Sequence, residues 1–471
     1  MTSWVVLSSS ILVVGLSVLV ATNFTVDDLP FLFSVVAPST TQFYFGTSME
    51  HDASIRLGRY ELNVSDYFST SYRQARSKFR TAAMDRGYSL FSLPIQSDTN
   101  NDLTIDIAII PGTIRSTIVH SSGTHGVEGY AGSAIQMALL DGVLDSEAFR
   151  GAERRPTVVL IHAVNPYGMH NFRRTNEHNV DLNRNCIDDF ETFTKNRDPN
   201  IAGYETLRHL YAPNRTATFW DTTAGYWVSA IQALAKHGFP TAKRAMVAGQ
   251  YHHPKGIMYG GSDKLEASIQ SLYDYLKGDI LQNTAVWIDV HTGLGKHGMD
   301  TLSPALTTPS HVASNLSKYF DSAFHILEST SGMKDSALSG YELTKGMLVD
   351  FFMEQSKAHG LYMVQEFGTI PTILVGRSLI LENTIHFWNS ENAKDYAKWL
   401  MVSAFYPQTR RWRREIVQRG VQAFLSGIKY IEDHPLEMKQ RVDEETHDED
   451  DEAVLAAQIE RRRKEKEERS S

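Results

Sequence analysis

The residues best suited to chemistry begin with His125 and Glu128, in the run Ser121-Ser-Gly-Thr-His-Gly-Val-Glu-Gly129. An imidazole nitrogen and a carboxylate oxygen three residues apart form a possible zinc ligand pair. The spacing alone carries little. The chain holds 18 histidines and three such pairs, His125/Glu128, His325/Glu328 and His434/Glu437, where about one is expected by chance. Context separates them. His325 and Glu328 fall in a helical pattern, Phe320–Leu327, that suits a surface or core pair, and His434 precedes Pro435 in a charged tail. Only His125 follows an apolar run and sits in a glycine-rich loop, where the backbone can bend close to a metal.

Three further polar clusters follow apolar runs. Asn165-Pro-Tyr-Gly168 leads into Arg173-Arg174 and then Asn179-Val-Asp-Leu-Asn-Arg-Asn185. Asp289-Val-His-Thr-Gly293 ends another run, and Gln365-Glu-Phe-Gly-Thr369 a fourth. Alone, the arginines read as a solvated loop and His291 as a structural histidine. A glutamate closing a buried run is unusual, because an unpaired buried carboxylate is costly. Taken together, His125, Glu128 and His291 are the two histidines and a carboxylate of catalytic zinc sites that keep a fourth position for water. Glu366 then serves as general base and Arg174 as partner of a developing oxyanion. Asn183 and Arg184 suit a substrate carboxylate, and Asp181 suits the far nitrogen of a ligating histidine.

The elements that must position these residues are short strands alternating with helices. Apolar runs at Ser116–His120, Thr157–Ala163, Ala285–Val290 and Leu361–Val364 read as buried strands. Helical patterns cover 65–92, 131–141, 265–277 and 391–404. This alternation predicts an α/β fold with a largely parallel sheet covered on both faces. In such sheets ligands bind beyond the carboxyl ends of the strands, where the polar clusters fall.

The 471 residues carry a net charge of −9, and residues 431–471 hold 15 acids and 8 bases, which leaves the body near −2. A basic face for nucleic acid is therefore not expected. The single cysteine, Cys186, excludes internal disulfides, all-cysteine zinc sites and cysteine-ligated clusters. Trp4–Ala21 is an 18-residue apolar stretch within a charge-free N-terminus. It reads as a membrane anchor or a signal peptide, which predicts a membrane or secretory-pathway location. Sequons begin at Asn23, Asn63, Asn214 and Asn315. Asp443–Glu452 has eight acids in ten residues, a solvated tail or charged helix that could recruit a protein partner. The expected organisation is a hydrophobic segment at 1–23, a linker at 24–60, a catalytic domain at 61–428 and a charged tail at 429–471.

With HGVEG at His125–Gly129, NPYG followed by RRTNEHNVDLNRN ending at Asn185, DVHTG at Asp289–Gly293 and EFGT at Glu366–Thr369, the sequence resembles the M14-type zinc metallocarboxypeptidase superfamily. It is most similar there to the DUF2817 proteins, over roughly residues 60–428. The resemblance implies a three-layer α/β/α fold with a mixed, mostly parallel sheet of about eight strands. It implies one Zn2+ per chain on His125, Glu128 and His291, with Glu366 the catalytic glutamate and Arg174 the carbonyl-polarising arginine. Asn183 and Arg184 would bind a C-terminal carboxylate, Asp181 would support a ligand, and Tyr341 is the candidate for a substrate-capping tyrosine. The stretch of about a hundred residues between Asn185 and Asp289 is longer than in digestive carboxypeptidases. It is expected to add a lid or wall to the cleft, with Tyr251-His252-His253 as a loop.

The resemblance points first to hydrolysis of a C-terminal peptide bond. A second expectation is an N-acyl amino acid deacylase similar to aspartoacylase and succinylglutamate desuccinylase. A catalytically silent binding module on a membrane anchor is a third.

Overall fold

The computed structural model describes residue 24, residues 54–95, 102–328, 343–389 and 391–434, and residue 436. Among these described residues ten strands run in chain order: β1 Ser54–Leu57, β2 Tyr60–Asn63, β3 Ser89–Pro94, β4 Thr104–Ile110, β5 Thr117–Ser122, β6 Thr157–His162, β7 Thr284–His297, β8 Asp300–Pro304, β9 Ile326–Leu327 and β10 Leu361–Gly368. The principal helices are α1 Tyr72–Asp85, α2 Gly129–Ala138, α3 Tyr204–Tyr211, α4 Tyr226–His237, α5 Phe239–Val247, α6 Ala267–Leu276, α7 Leu348–Gln355, α8 Thr372–Trp388, α9 Glu391–Phe405 and α10 Arg410–Asp433.

β1 and β2 form a separate hairpin, while the other eight strands make one sheet in the order β3-β4-β6-β5-β7-β10-β8-β9. The four central strands β6, β5, β7 and β10 are mutually parallel. They are the four apolar runs singled out in the sequence, now side by side. β3 and β4 add antiparallel at one edge, and β8 adds antiparallel to β10 at the other. The fold is thus the expected mixed, mostly parallel α/β sheet of eight strands.

Strand side chains alternate between faces, and each face meets its own helix layer. Ile118, Val158, Leu160, Val286, Ile288 and Met363 pack in one core with Phe79 of α1, Ile135 of α2 and Trp412, Ile416 and Phe424 of α10. Their neighbours Val119, Val159, Trp287, Tyr362 and Val364 pack in a second core with Ile269 and Leu272 of α6 and Leu348 and Phe352 of α7. Because both faces are buried, these strands read as continuous apolar runs without alternation.

Two element expectations need correction. The helix expected over 65–92 occupies only Tyr72–Asp85, after a separate turn at Val64–Tyr67. Ser71 caps its start by accepting from Gln74 N at 3.2 Å, and Gly87 at φ +69° redirects the chain into β3. The helical pattern at Phe320–Leu327 is instead a turn on Asp321 followed by β9. There His325 is buried with Nδ1 2.7 Å from Asp300 Oδ2, a core pair away from the cleft.

Ile55 and Leu57 of the first hairpin join the α1/α2/α10 core, and α10 runs to Asp433. No helix among the described residues is long and apolar enough to cross a membrane. The apolar segment 1–23 and the acidic run 443–452 lie outside the described residues.

Candidate metal centre

His125 and Glu128 sit on the short turn between β5 and α2, with Gly126–Glu128 forming one 3-10 turn. This turn is held against the arginine segment by main-chain bonds from Gly126 N to Arg174 O (3.1 Å) and from Val127 N to Arg173 O (2.9 Å). A Cβ on Gly126 would lie 2.0 Å from Gly168 C. The HGVEG and NPYG motifs therefore require backbone-on-backbone contact that only glycine permits. His291 lies inside β7, and its register partner across the parallel ladder is Glu366 of β10. Both strands run past the ends expected from the apolar runs, so His291 and Glu366 stand in the ladder itself.

The three expected ligands converge. His125 Nδ1 lies 3.0 Å from Glu128 Oε1 and 3.0 Å from His291 Nδ1, and His291 Nδ1 lies 3.3 Å from Glu128 Oε2. All three residues are buried. The opposite nitrogens are fixed by carboxylates: His125 Nε2 is 3.0 Å from Asp181 Oδ1, and His291 Nε2 is 2.6 Å from Asp289 Oδ2. A carboxylate partner places the proton on Nε2, so each ring turns its Nδ1 lone pair inward. Two lone pairs facing at this separation repel unless a cation lies between them. Two neutral imidazole nitrogens and a carboxylate, each oriented from behind, fit a zinc ion.

The electrostatics agree. Burial alone would raise the Glu128 carboxyl, but His125, His291 and Arg174 hold it well below the usual carboxylate range. Asp181 is likewise kept ionised against its burial, by Arg174 and His125. Burial alone would lower the His291 imidazole, yet Asp289 and Glu128 carry it up to about 10. Without a metal ion the inward nitrogen of His291 thus holds a proton, whose place a zinc ion would take, and in either case the centre favours a positive charge.

Arg174 donates from Nη1 to Glu128 Oε1 and from Nε to Asp181 Oδ2, both at 3.0 Å. Glu366 accepts from Leu294 N at 2.9 Å. Its burial, and next the Glu128 charge, push the carboxyl up to about 7. Thr292 N donates to Glu128 Oε2 at 3.0 Å, so the strand end after His291 orients both glutamates through main-chain N–H groups. His125, His291, Arg174, Asn183 and Glu366 all line one cleft, whose remaining wall is largely apolar and includes Leu294, Leu306, Val375 and Phe405. The stretch between Asn185 and Asp289 contributes Met246, Val247 and Met258 to that wall, as the sequence suggested.

The expected carboxylate clamp is only half in place. Asn183 lines the cleft, with Oδ1 accepting from Leu348 N at 2.8 Å. Arg184 does not line it. Its side chain is fully buried, with Nε and Nη2 donating to Val247 O at 3.0 and 2.6 Å and Nη1 to Asn183 O at 2.6 Å. The Asp181-capped turn that aims Asn183 at the cleft sends the next side chain into the protein. Tyr341 lies outside the described residues. Tyr251 is buried and donates to Arg184 O at 2.8 Å, and His253 contacts Glu205, so this loop braces the arginine segment instead of lining the cleft.

Asp289 was not assigned a role from the sequence. Its signal is the D-x-H spacing, because residues i and i+2 of a strand share a face. Ser121 Oγ donates to Asp289 Oδ1 at 2.6 Å, which ties the residue to the neighbouring strand. A second ligand-type group, Glu177, His178 and Glu266, is half-exposed at the surface.

The family described as protein of unknown function DUF2817 matches residues 68–419 of the chain. No curated protein matches it. Among solved structures it is similar to carboxypeptidase A from Helicoverpa armigera, at 14% identity over 79% of this chain and 79% of that one, with a TM-score of 0.38. It is also similar to a metallo-carboxypeptidase from Burkholderia cenocepacia, at 12% identity over 76% and 71%, TM-score 0.33. A succinylglutamate desuccinylase from Silicibacter sp. TM1040 is similar at 14% identity over 64% and 66%, TM-score 0.31. The match over most of its length shows that the chain belongs to the DUF2817 family.

Proposed function

We propose that this member of the DUF2817 family is a zinc-dependent hydrolase that cleaves the amide bond at the C-terminus of a peptide. The observation that carries this reading is the convergence of His125, Glu128 and His291 on one point, with Glu366 in register on the adjacent strand. Those three residues would hold one zinc, which would supply Lewis acidity and lower the pKa of a water toward neutrality.

The chain's own residues supply the rest. Glu366, anchored through Oε1 on Leu294 N, takes the proton of the attacking water and returns it to the leaving amine. Arg174, at the cleft wall, offers its guanidinium to the oxyanion that grows on the attacked carbonyl. Asp181 and Asp289 hold the two imidazoles so that the ligand geometry does not relax during turnover. The carboxamide of Asn183 is the cleft group that meets a substrate carboxylate. The apolar walls suit an apolar side chain next to the scissile bond.

A second reading, an N-acyl amino acid deacylase, uses the same residues. An N-acyl amino acid presents the same amide beside a free carboxylate, so the burial of Arg184, which removes the expected bidentate grip, bears on both substrate classes alike. N-blocked peptides, their C-amidated twins and N-acyl amino acids separate the two. The carboxypeptidase reading requires cleavage of the free-acid peptides only. Equal cleavage of the amidated twins would overturn it, and release from N-acyl amino acids without peptide cleavage would establish the deacylase. Glu366→Gln should lower either activity by about 10²–10⁴-fold; unchanged activity would show that the base is misassigned and would reopen a binding role.

A further inference from the structure

Eight large apolar side chains stand exposed among the described residues, and five of them fall between Phe219 and Phe239. They are Phe219 (79% exposed), Trp220 (61%), Val228 (46%), Ile231 (61%) and Phe239 (48%). Tyr226, Ala230 and Ala233 bury the inner face of α4, while Val228 and Ile231, three residues apart, share its outer face. No charged side chain occurs from Thr222 to Ala235. With Phe219, Trp220, Val228 and Ile231 outward and only the uncharged Ser229 and Gln232 among them on the helix, this face leaves a surface that water solvates poorly. Charges return at the rim, where Lys236 and Arg244 are exposed and the Asp221 carboxylate is paired with Arg215.

We propose that this face, from Phe219 to Phe239, docks into the interfacial layer of a lipid bilayer. Adjacent Phe and Trp beside an apolar helix face, with basic residues at its end, is the composition that partitions at the headgroup–acyl boundary and favours anionic lipid. The chain itself supplies a second reason. Phe24 is buried in the same apolar cluster as Tyr226, Ala230 and Ala233, and stacks on His297 at 4.2 Å. The 18-residue apolar stretch Trp4–Ala21 ends three residues before Phe24 in the sequence, so the chain also carries, next to a member of this cluster, a segment whose composition suits a bilayer. The apolar groove under α4 and α5 shares Met246 with the catalytic cleft, which puts a bilayer-docked face beside the site. The proposal does not depend on the hydrolase reading.

The test uses the full chain reconstituted into phosphatidylcholine–phosphatidylserine vesicles. Phe219→Cys, Ile231→Cys and, as a control on α1, Met84→Cys (57% exposed) each receive an environment-sensitive fluorophore; the native Cys186 is buried. The expected result is a several-fold rise and blue shift in emission at 219 and 231, with quenching by acyl-chain-brominated lipid, and neither effect at 84. Water-like emission at 219 and 231 would overturn the proposal. Protected emission without lipid quenching would also overturn it, in favour of a second copy or a protein partner on the same face.

Discussion

At the residue scale, each imidazole of the proposed metal centre is held from behind, and Asp289 does this for His291 at 2.6 Å. Loss of such a support typically costs 10–100-fold in metal affinity. Asp289→Asn should therefore weaken zinc binding by about that factor in chelator competition, while the fold persists. An affinity equal to wild type would show that the carboxylate only ties β5 to β7 through Ser121. Arg184 offers a contrasting case. Because its guanidinium saturates the carbonyls of Val247 and Asn183, Arg184→Met should lower stability by about 2–5 kcal/mol through unsatisfied buried acceptors. Denaturant unfolding checks this, and the KM ratio between free-acid and amidated substrates should stay unchanged. A selective rise in KM for free acids, with stability intact, would restore Arg184 to the clamp. The motif legible in the sequence could not distinguish these fates: Asn183 and Arg184 are adjacent, and a short turn sends consecutive side chains in different directions.

At the element scale, β5 and β6 bring His120 and His162 into the α1/α2/α10 core, where both are fully buried. His162 stacks on Phe79 at 4.8 Å and contacts Ser133 Oγ at 3.1 Å. Burial lowers both imidazoles from 6.5 to about 4. The unfolded chain thus binds more protons than the folded one below pH 6.5, so stability falls as the pH drops from 6.5 towards 4. At about 1.4 kcal/mol per pKa unit, each histidine accounts for up to about 3 kcal/mol of that loss. His120→Gln/His162→Gln should flatten this part of the profile in urea titrations at pH 7 and pH 4.5; an unaltered slope would assign the acid sensitivity elsewhere. The four central strands were legible because both faces are covered, which makes each one a continuous apolar run. β3 was not, since Ser89–Pro94 is a half-exposed edge strand whose residues extend the helical spacing of α1. The ends of β7 and β10 were also hidden, because the pairing continues through the polar residues His291 and Glu366.

At the scale of the whole molecule, segments far apart in sequence converge because four parallel strands deliver their carboxyl ends to one edge of the sheet. His125 follows β5, Arg174 and Asn183 follow β6, and His291 and Glu366 lie on β7 and β10. The order of the motifs and a wall from the 185–289 stretch were readable along the chain, but that Met246, Val247 and Met258 would form it was not, since nothing local in that stretch says which of its residues face the cleft. The measurement that tests the account most directly is zinc per chain on the purified protein by elemental mass spectrometry, beside His125→Ala. The account requires about one zinc per chain, lost in the variant while the far-ultraviolet circular dichroism is retained. A folded wild-type protein that holds no zinc after reconstitution would contradict it.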